Sequence, residues 1–484
     1  MHLRRVKNET QIQVFTQADT SRPACEWGGF CRYVNCCCVR IISEMSLKLS
    51  SYKGTRDLYP SDMRLRNYIF NGWRQVAEKY GYQEYMAPLL EPLDVYAAKS
   101  GEEIVNDQTY SFVDRGGRQM VIRPEMTPSI TRMVAARRQE MPMPARLYSI
   151  ANFMRYERPQ HGREREFWQL NLDVFGIANT YAELEIINMS HDILTHFGAT
   201  DDMFTIRVND RRLTDFIMRN YLGLSDDKTT RMIKLLDRYD KLPSEVFHSE
   251  ACRILDGDGN QLGRLMDVIQ SERLDDLPSE ISDNEITRPL RELLDKLHQR
   301  GLGNVYYNVR LMRGFDYYTG IVFEAFDEAP ENRRAMFGGG RYDGLVGLFG
   351  VEPLSVVGVA PGETTFMEFL SSHDLLPDLT NDGGPTVTIL PMSTGENDYA
   401  SQLADQLRQA GIITSVDYTD RKLDKKTKVA VKNGAHYAIY AGQDEVAANT
   451  VPVKDLSSGQ QVKMPVDQVA DYLLTQISGK IGDK

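Results

Sequence analysis

Hydrophobic residues after Pro60 recur every three or four positions, which is the spacing of a helix with one buried face. The pattern predicts a helix over 62–80, with Ser61 or Asp62 as its N-cap. A short apolar run then predicts a strand over 82–86. The helical positions are Leu65, Ile69, Trp73, Val76 and Tyr80.

Strand patterns dominate the next hundred residues. Residues 105–185 form several strands and turns by pattern, with Asp-Arg-Gly-Gly at 114–117 as a hairpin turn, and helical spacing follows over 182–196. The strand after residue 165 has one apolar face, which predicts packing on a core. The pattern of its other face is suited to binding a polar ligand, but it also fits a sheet face that is open to solvent. The apolar face carries Trp168, Leu170, Leu172 and Val174, and the other, polar face carries one aromatic followed by three hydrogen-bonding side chains, Phe167, Gln169, Asn171 and Asp173.

The middle of the chain favours helices. Residues from about 213 to 300 are charged, poor in strand patterns and rich in helix patterns, which predicts a helical insertion. Strand patterns resume over 305–309 and 316–326. In the second of these strands, Tyr318 shares its face with a glycine, so that face has room for a ligand, whereas the Tyr317 face predicts a core position.

Composition changes near the C-terminal end of this region. Residues 373–384 have the composition of a linker, and strand and helix patterns alternate after it. We therefore expect a larger domain over 45–372, which contains the insertion, and a small α/β domain with a parallel or mixed sheet over 385–484. Its predicted elements cover 386–390, 399–410, 414–417, 422–432 and 437–440.

The chain has 484 residues, which suggests roughly three domains at about 150 residues each. Its composition, 42% hydrophobic and 26% charged, is ordinary for a globular protein. No apolar run approaches the roughly 20 residues of a membrane-spanning helix, so we expect no membrane contact. The net charge of −11 argues against nucleic-acid binding by bulk charge and leaves local basic patches open.

Residues 1–44 show no sustained period and no pattern of a signal peptide or clear transit peptide. Five of the six cysteines lie there, whereas a disulfide framework would spread through the folded part, so we expect a reducing compartment, the cytoplasm. A zinc-binding cluster is the alternative for these cysteines, but no C-x-x-C pair occurs among them. Met45 is a plausible natural start. The segment is predicted to be a disordered tail or a mis-assigned extension, with an organellar targeting segment as the alternative.

Residue types that carry chemistry gather in four clusters. The densest covers 153–167, between two strands, and has four arginines within eleven residues. The others cover 123–127, 313–320 and 338–344, and the last contains three consecutive glycines that allow a close backbone approach. Taken singly, each cluster also fits an ordinary turn or strand.

Together with Lys53-Gly54-Thr55-Arg56-Asp57, these clusters occur in an order that resembles the histidyl-tRNA synthetases, which are class II aminoacyl-tRNA synthetases. The resemblance covers roughly 48–480, and the two histidine-specific signatures are similar to 311–318 and 338–344. It implies an α+β fold: a six-stranded antiparallel class II core sheet with a helical insertion, and a C-terminal α/β anticodon-binding domain. It also implies a homodimer in the cytoplasm.

The resemblance further implies a histidine–tRNA ligase that uses ATP and Mg²⁺. Such an enzyme activates L-histidine to histidyl-adenylate and transfers it to the 3′ end of tRNA(His). In the implied ATP site, Arg155 contacts the α-phosphate and Arg163 reaches the outer phosphates. Phe167 stacks on adenine, and Glu157 holds the adenine edge.

The same resemblance assigns the amino-acid site. Glu125 binds the α-amino group of histidine, Gln169 lies near its carboxylate, and Arg313 sits where the carboxylate meets the α-phosphate. Asp173 and Tyr318 contact the two imidazole nitrogens, although many relatives have Glu at the position of Asp173. The implied histidine-binding set is Glu125, Thr127, Gln169, Asp173, Arg313, Tyr317 and Tyr318, and the implied catalytic set is Arg313, Arg155 and Gln169.

The run over 421–428 is basic in an acidic chain, and so is a natural phosphate contact for tRNA, although a solvated helix face fits it too. The loop over 153–167 supplies further tRNA contacts by resemblance. The expected tRNA-binding residues are Arg158, Gln160, Arg421, Lys422 and Lys425.

One position departs from the family pattern. Class II enzymes have an arginine that clamps the γ-phosphate late in a Gly-x-x-x-Gly-x-Glu-Arg run, and here Thr365 stands in its place. This leaves a non-catalytic relative open, either a regulatory subunit of ATP phosphoribosyltransferase or an uncharged-tRNA sensor. The regulatory subunit usually lacks the anticodon-binding domain and the histidine signatures, which this chain retains, so an active ligase is favoured.

Overall fold

The computed structural model describes residues 49–97, 108–160, 162–311, 317–330, 332, 335–379 and 384–481. The extension over 1–44 and the predicted catalytic residue Arg313 lie outside these residues, so what was expected of them stays a prediction. Among the described residues, no helix combines the length and apolar character needed to cross a membrane.

Eight of the first eleven strands form one large sheet. The strands are β1 (Gln83–Glu84), β2 (Leu90–Pro92), β3 (Tyr110–Val113), β4 (Gln119–Ile122), β5 (Ala145–Met154), β6 (Glu166–Phe175), β7 (Phe204–Asp210), β8 (Val305–Tyr307), β9 (Ile321–Asp327), β10 (Ala335–Arg341) and β11 (Val356–Val359). The sheet order is β1-β5-β6-β11-β10-β9-β7-β8. The six inner strands pair antiparallel, and each edge strand is parallel to its neighbour. The predicted six-stranded antiparallel core is therefore confirmed.

The hairpin β5–β6 is the longest pairing in this sheet. Its register runs from Ala145 opposite Phe175 to Met154 opposite Glu166, so the arginine-rich loop joins two ten-residue strands as predicted. The predicted apolar face of β6 lies in the core: Leu170, Leu172 and Val174 are buried, and Trp168 packs against the same cluster.

Helices cover this apolar face of the sheet. The first begins at Pro60, and its N-cap is Tyr59 rather than Ser61 or Asp62; the Asp62 carboxylate instead accepts the Tyr59 backbone N–H at 2.8 Å. Proline suits the first helical position because its missing N–H has no partner there. The helices of this part are α1 (Pro60–Lys79), α2 (Asp94–Ala97), α3 (Thr127–Ala136), α4 (Tyr181–His196), α5 (Arg211–Phe216), α6 (Asp226–Leu236), α7 (Ser244–Ile254), α8 (Gly259–Gln270), α9 (Ser279–Ser282), α10 (Arg288–Gln299) and α11 (Glu363–Ser372).

Helices α5–α10 lie between β7 and β8 in the chain, where the helical insertion was predicted. The break between α7 and α8 falls at Asp256 and Gly257, which both have positive φ, and the Asp258 carboxylate then caps α8. Charged residues dominated the pattern here because only one stripe of each helix is buried.

Strands β2, β4 and β3 form a separate small antiparallel sheet. Its hairpin turn has the predicted position, because the Asp114 carboxylate accepts the backbone N–H groups of Gly116 and Arg118 at 2.8 and 2.9 Å.

The C-terminal part has a five-stranded mixed sheet, in the order β13-β12-β14-β15-β16. The first three strands in this order are parallel and the last two pair antiparallel, which confirms the α/β class. Sequence patterns did not reveal the elements after residue 441. The elements are β12 (Val387–Pro391), α12 (Asn397–Gln409), β13 (Thr414–Val416), α13 (Leu423–Lys432), β14 (Tyr437–Ala441), α14 (Gln443–Ala448), β15 (Thr450–Asp455), β16 (Gln461–Pro465) and α15 (Val466–Ile481).

Three strand predictions were too long. The strand predicted over 82–86 covers only Gln83–Glu84, and the one over 305–309 ends at Tyr307. The strand predicted over 316–326 begins at Ile321, so Tyr317 and Tyr318 lie before it and do not alternate as strand residues. The chain just before β9 contacts β10 through a backbone hydrogen bond, in which Thr319 N donates to Arg341 O at 2.8 Å. The domain boundaries at 45, 373 and 385 stay predictions.

Candidate active site

A cleft of about 670 Å³ opens on the polar face of β6, and β9, β10 and β11 contribute to its walls. All four residues predicted to form the polar face line it, namely Phe167, Gln169, Asn171 and Asp173. Strand alternation explains this arrangement, since Leu170, Leu172 and Val174 face the helices, although Trp168 also borders the cleft. The expectation of a ligand-binding floor is thus consistent with the geometry, and a purely solvated sheet face is not.

The hairpin loop delivers two arginines and a carboxylate to one end of the cleft. Arg155 Nε donates to Pro124 O at 3.0 Å, and its guanidinium lies 5.3 Å from the centre of the Phe167 ring. Arg163 Nη1 donates to Glu157 Oε2 at 2.9 Å, and 57% of the Arg163 side chain is exposed. Arginine guanidinium groups and an aromatic face form a combination that binds a nucleotide through its phosphates and base.

A second group of polar residues lines the cleft next to α3. Tyr317 donates its hydroxyl to Glu125 Oε2 at 3.1 Å and lies 3.4 Å from Thr127 Oγ1. Glu125 is only 4% exposed. Burial and the Glu125 charge raise the pKa of Tyr317, so its hydroxyl remains a neutral donor. The expectation that Tyr317 faces the core is therefore incomplete, because the buried ring also lines the cleft.

Asp173 lies at the base of the cleft and is 4% exposed. Tyr342 donates its hydroxyl to Asp173 Oδ1 in a short hydrogen bond. Burial raises the pKa of Asp173 to about 7, and the hydrogen bond from Tyr342 opposes that shift. A side chain at Gly358 would collide with the same carboxylate oxygen, so glycine is required there. Tyr342 was not assigned a role from the sequence, although it belongs to the glycine-rich cluster.

Three tyrosine rings meet beside this carboxylate. Tyr318 lies with its ring centre 5.0 Å from Tyr317 and 6.4 Å from Tyr342. Desolvation raises the pKa of Tyr318, which keeps its hydroxyl protonated at neutral pH. The side chains of Asp173, Tyr318 and Glu125 all line the same cleft.

The segment with the unusual threonine forms the wall at the start of α11. Thr365 Oγ1 donates to Met336 O at 2.8 Å and so satisfies its single O–H. Glu363 is 1% exposed and forms two hydrogen bonds with Arg66 of α1, at 2.9 and 2.8 Å. Sequence reasoning missed this pair, because 297 positions separate its members.

The remaining predicted residues lie elsewhere. Arg158 and Gln160 are exposed on the hairpin loop and do not line the cleft. Arg421 and Lys422 precede α13 and Lys425 lies in it, and all three are exposed. The basic run is not wholly a surface feature, however: Lys426 is buried and donates to Pro391 O and Asp417 O at 2.8 and 3.0 Å.

Metal coordination by side chains alone has no support in the part of the chain that the structure describes. Within it, no group of three or more His, Cys, Asp or Glu side chains is placed to hold a metal ion. A magnesium ion that enters with a nucleotide needs only one or two carboxylates, because the phosphates and water supply the other ligands.

A large antiparallel sheet whose polar face carries arginines, an aromatic ring and buried carboxylates is the catalytic architecture of the class II aminoacyl-tRNA synthetases. Comparison with known families agrees with this class. The histidyl-tRNA synthetase profile matches residues 54–360, and an anticodon-binding domain profile matches residues 386–476. The chain belongs to the histidyl-tRNA synthetase family.

Individual relatives support this membership. The histidine–tRNA ligase of Leptospira biflexa is 38% identical over 440 residues, which cover 90% of this chain and 100% of that protein. The histidine–tRNA ligase of Thermoplasma volcanium is 34% identical, covering 88% and 99% of the two chains. The crystal structure of histidyl-tRNA synthetase from Nostoc sp. shares the fold, with a TM-score of 0.72 at 23% identity over 89% of this chain and 100% of that one.

Proposed function

We propose that this chain is a histidine–tRNA ligase that forms histidyl-adenylate from L-histidine and ATP and transfers the histidyl group to tRNA(His). The observation that carries the proposal is the content of the cleft. Arginines and an aromatic ring that suit phosphates and a base, and carboxylates and tyrosines that suit an amino acid, line one cavity of about 670 Å³. Relatives at 34–38% identity carry the same named activity.

The first step is attack of the histidine carboxylate on the α-phosphate of ATP, which forms a bond from the carboxylate oxygen to phosphorus and breaks the bond to the β-phosphate, so that pyrophosphate leaves. This step adds charge to the phosphoryl oxygens, so positioned cations stabilise the transition state more than the ground state. We assign Arg155 to the α-phosphate and Arg163 to the outer phosphates. We assign the adenine ring to the face of Phe167, 5.3 Å from whose ring centre the Arg155 guanidinium lies, and the edge of the adenine to Glu157.

Recognition of histidine uses the other end of the cleft. We assign the α-amino group to Glu125, whose oxygen already accepts from Tyr317, and the carboxylate to Gln169. Imidazole donates at one nitrogen and accepts at the other, so Asp173 and Tyr318 satisfy both of its polar atoms. An amino acid without such a ring cannot form these hydrogen bonds with the two buried groups, which is the stronger form of discrimination. Arg313 keeps its sequence-based assignment between the carboxylate and the α-phosphate.

Mg²⁺ enters this scheme as the magnesium complex of ATP, where it neutralises phosphate charge. Among the cleft-lining carboxylates, we assign Glu164 as the residue that would contact this ion, because it follows Arg163 in the hairpin loop and also lines the cleft. Thr364 Oγ1 lies 3.5 Å from Glu164 Oε2 and helps to orient it.

For tRNA we assign the exposed hairpin residues Arg158 and Gln160 to the acceptor end. The exposed Arg421, Lys422 and Lys425 suit phosphates of the anticodon arm, since basic side chains contribute most of the affinity for a nucleic-acid backbone.

The homodimer is part of the proposal. Large apolar side chains on or beside the small sheet are exposed, and exposed apolar surface of this kind suits contact with a second subunit. They are Met86, Leu89, Leu90, Phe112 and Val113. We further expect the enzyme to act in the cytoplasm.

A second candidate is a non-catalytic relative, which Thr365 favours. A Bacillus halodurans protein described as an ATP phosphoribosyltransferase regulatory subunit/histidyl-tRNA synthetase shares the fold, with a TM-score of 0.67 at 20% identity over 82% of this chain and 99% of that one. The anticodon-binding part of this chain argues against the regulatory role.

Charging of tRNA distinguishes these two functions. Purified full-length protein, ATP, Mg²⁺, labelled histidine and tRNA(His) are combined, with tRNA of another specificity as the control. The proposal predicts acid-precipitable label only with tRNA(His). Binding of tRNA or histidine without charging would support the non-catalytic relative.

A further inference from the structure

The helical insertion contributes a cation to the active-site cleft. Within the described chain, the insertion residues that line the cleft are Asp237 and Lys241. Lys241 ends a short helical turn, Tyr239–Lys241, between α6 and α7. No role was expected for it from the sequence, because it stands in a region whose many charges fit an ordinary solvated helix surface.

The turn that carries Lys241 is anchored on both sides. Lys241 N donates to Arg238 O at 3.0 Å, and the Tyr239 ring packs edge-on against Phe247 at 4.7 Å between ring centres. From outside the insertion, the Arg310 guanidinium lies 5.3 Å from the Tyr239 ring centre and donates to Asp240 Oδ1 at 3.1 Å. The backbone of Lys241 is thus held in place at the cleft, while its long side chain remains adjustable.

Among the residues that the structure describes, the other basic groups around the cleft already have partners. Arg163 pairs with Glu157 at 2.9 Å, and Arg155 donates to a carbonyl oxygen. Arg56 and Arg66 approach the wall from outside the cleft lining, but Arg56 pairs with Glu164 at 2.6 Å and Arg66 is bound to Glu363. Lys241 forms no ion pair with any residue that the structure describes.

The described cleft lining at the start of α11, Gly362–Thr365, contains no cationic side chain. The position where the family has a γ-phosphate arginine is Thr365, whose hydroxyl donates to Met336 O. Met336 lines the same cleft as Lys241, as do both of its neighbours in β10. An ammonium group is a compact charge on a flexible stem, so it binds phosphate without the fixed geometry that arginine requires.

We propose that Lys241 binds the outer phosphates of ATP, and the pyrophosphate product, in place of the arginine that Thr365 replaces. This inference rests on the proposed function and adds a phosphate-binding residue to that site. The same ammonium would also suit a phosphate of the RNA acceptor end, and the experiments below separate the two sources.

Binding measurements test the role directly. Full-length wild type, Lys241→Ala, Lys241→Arg and the control Lys234→Ala, an exposed lysine of α6, are titrated with magnesium ATP, AMP and inorganic pyrophosphate. Loss of a charge-assisted contact should weaken ATP and pyrophosphate binding about 10- to 100-fold in Lys241→Ala, while AMP binding is unchanged. Lys241→Arg should restore most of the affinity, and Lys234→Ala should match wild type. Equal weakening of AMP and ATP, or no weakening, would overturn the proposal.

Kinetics without and with tRNA identify the phosphate source. In histidine-dependent ATP–pyrophosphate exchange, which contains no tRNA, Lys241→Ala should raise KM for ATP and leave KM for histidine unchanged. An increase confined to KM for tRNA in aminoacylation would assign Lys241 to RNA phosphate instead, and would overturn the proposal. If wild type shows no exchange at all, the ligase function fails, yet the binding titrations still decide whether Lys241 holds a phosphate.

Discussion

Asp173 shows how one residue's surroundings set its chemistry. Its carboxyl is almost fully buried, receives a hydrogen bond from Tyr342, and has its pKa raised by burial to about 7. Free imidazole titrates in the same range, so the ring and the carboxyl compete for a proton near neutral pH. With the Tyr318 hydroxyl also lining the cleft, this end of the cavity suits a ring that both donates and accepts.

Removal of either ring contact should affect histidine and not ATP. Asp173→Ala and Tyr318→Phe are expected to raise KM for histidine about 5- to 100-fold, because each leaves one imidazole nitrogen unpaired. KM for ATP should change by less than about twofold. Tyr306→Phe, which alters an exposed tyrosine of β8, is the control. Pyrophosphate exchange measures both constants, and equal increases for both substrates would indicate a structural role.

Binding of the outer phosphates of ATP should depend strongly on Arg163. With threonine at 365, Arg163→Ala is expected to raise KM for ATP about 5- to 150-fold, the value of one charge-assisted contact. Thr365→Arg should be neutral or should lower KM for ATP, since Thr365 borders the open cleft. Arg118→Ala, an exposed arginine of the small sheet's turn, is the control for loss of charge. A mild effect of Arg163→Ala would show that other residues hold these phosphates.

At the scale of elements, strand alternation and turn-forming residues were sufficient to predict the structure where the sequence pattern is regular. The apolar face of β6, the Asp114 turn and the break between α7 and α8 all follow from local pattern. The start of β9 did not follow from local pattern. Tyr317 and Tyr318 are residue types common in strands, and only the neighbouring chain decides whether they pair as strand residues. Likewise, Lys426 belongs to a basic run but is buried by its contacts with Pro391 and Asp417.

The pairing of α1 with α11 predicts a large stability effect. Glu363→Ala leaves the Arg66 guanidinium buried without its carboxylate, which should lower the free energy of unfolding by about 3–5 kcal/mol. Arg288→Ala removes an exposed ion pair and should cost under about 1 kcal/mol. Urea unfolding is followed by tryptophan fluorescence, because Trp168 lies 5.3 Å from the Arg66 guanidinium. Similar urea midpoints for the two variants would contradict this account.

At the scale of the whole molecule, the residues that line the cleft lie between positions 108 and 365 of the chain. The residues that sequence motifs assigned to the ATP and histidine sites, from Glu125 to Tyr318, line the cleft, apart from Arg313, which lies outside the described residues. Sequence motifs did not identify Arg66, Glu363 or Lys241, since these depend on which distant elements meet, and no local period records that. The sequence likewise predicted the class of the C-terminal sheet and missed its last two strands.

The C-terminal basic surface should act on tRNA alone. Replacement of Arg421, Lys422 and Lys425 together by alanine is expected to raise KM for tRNA and to reduce the slope of log KM against log salt by about 2–3, one phosphate contact per residue. Pyrophosphate exchange should not change, because none of the three lines the cleft. Lys463→Ala, another exposed lysine of this part, is the control. An unchanged salt slope would remove these residues from the tRNA interface.

Histidine-dependent ATP–pyrophosphate exchange tests the central claim most directly, since it asks whether this cleft joins histidine to ATP. Wild type is assayed with histidine and with each other amino acid in turn, beside Arg313→Ala and the control Arg288→Ala. We expect exchange with histidine alone and a normal rate in Arg288→Ala. Arg313→Ala should lose exchange, while circular dichroism shows that it keeps its folded state. Absence of exchange in wild type, or a near-normal rate in Arg313→Ala, would contradict the central claim.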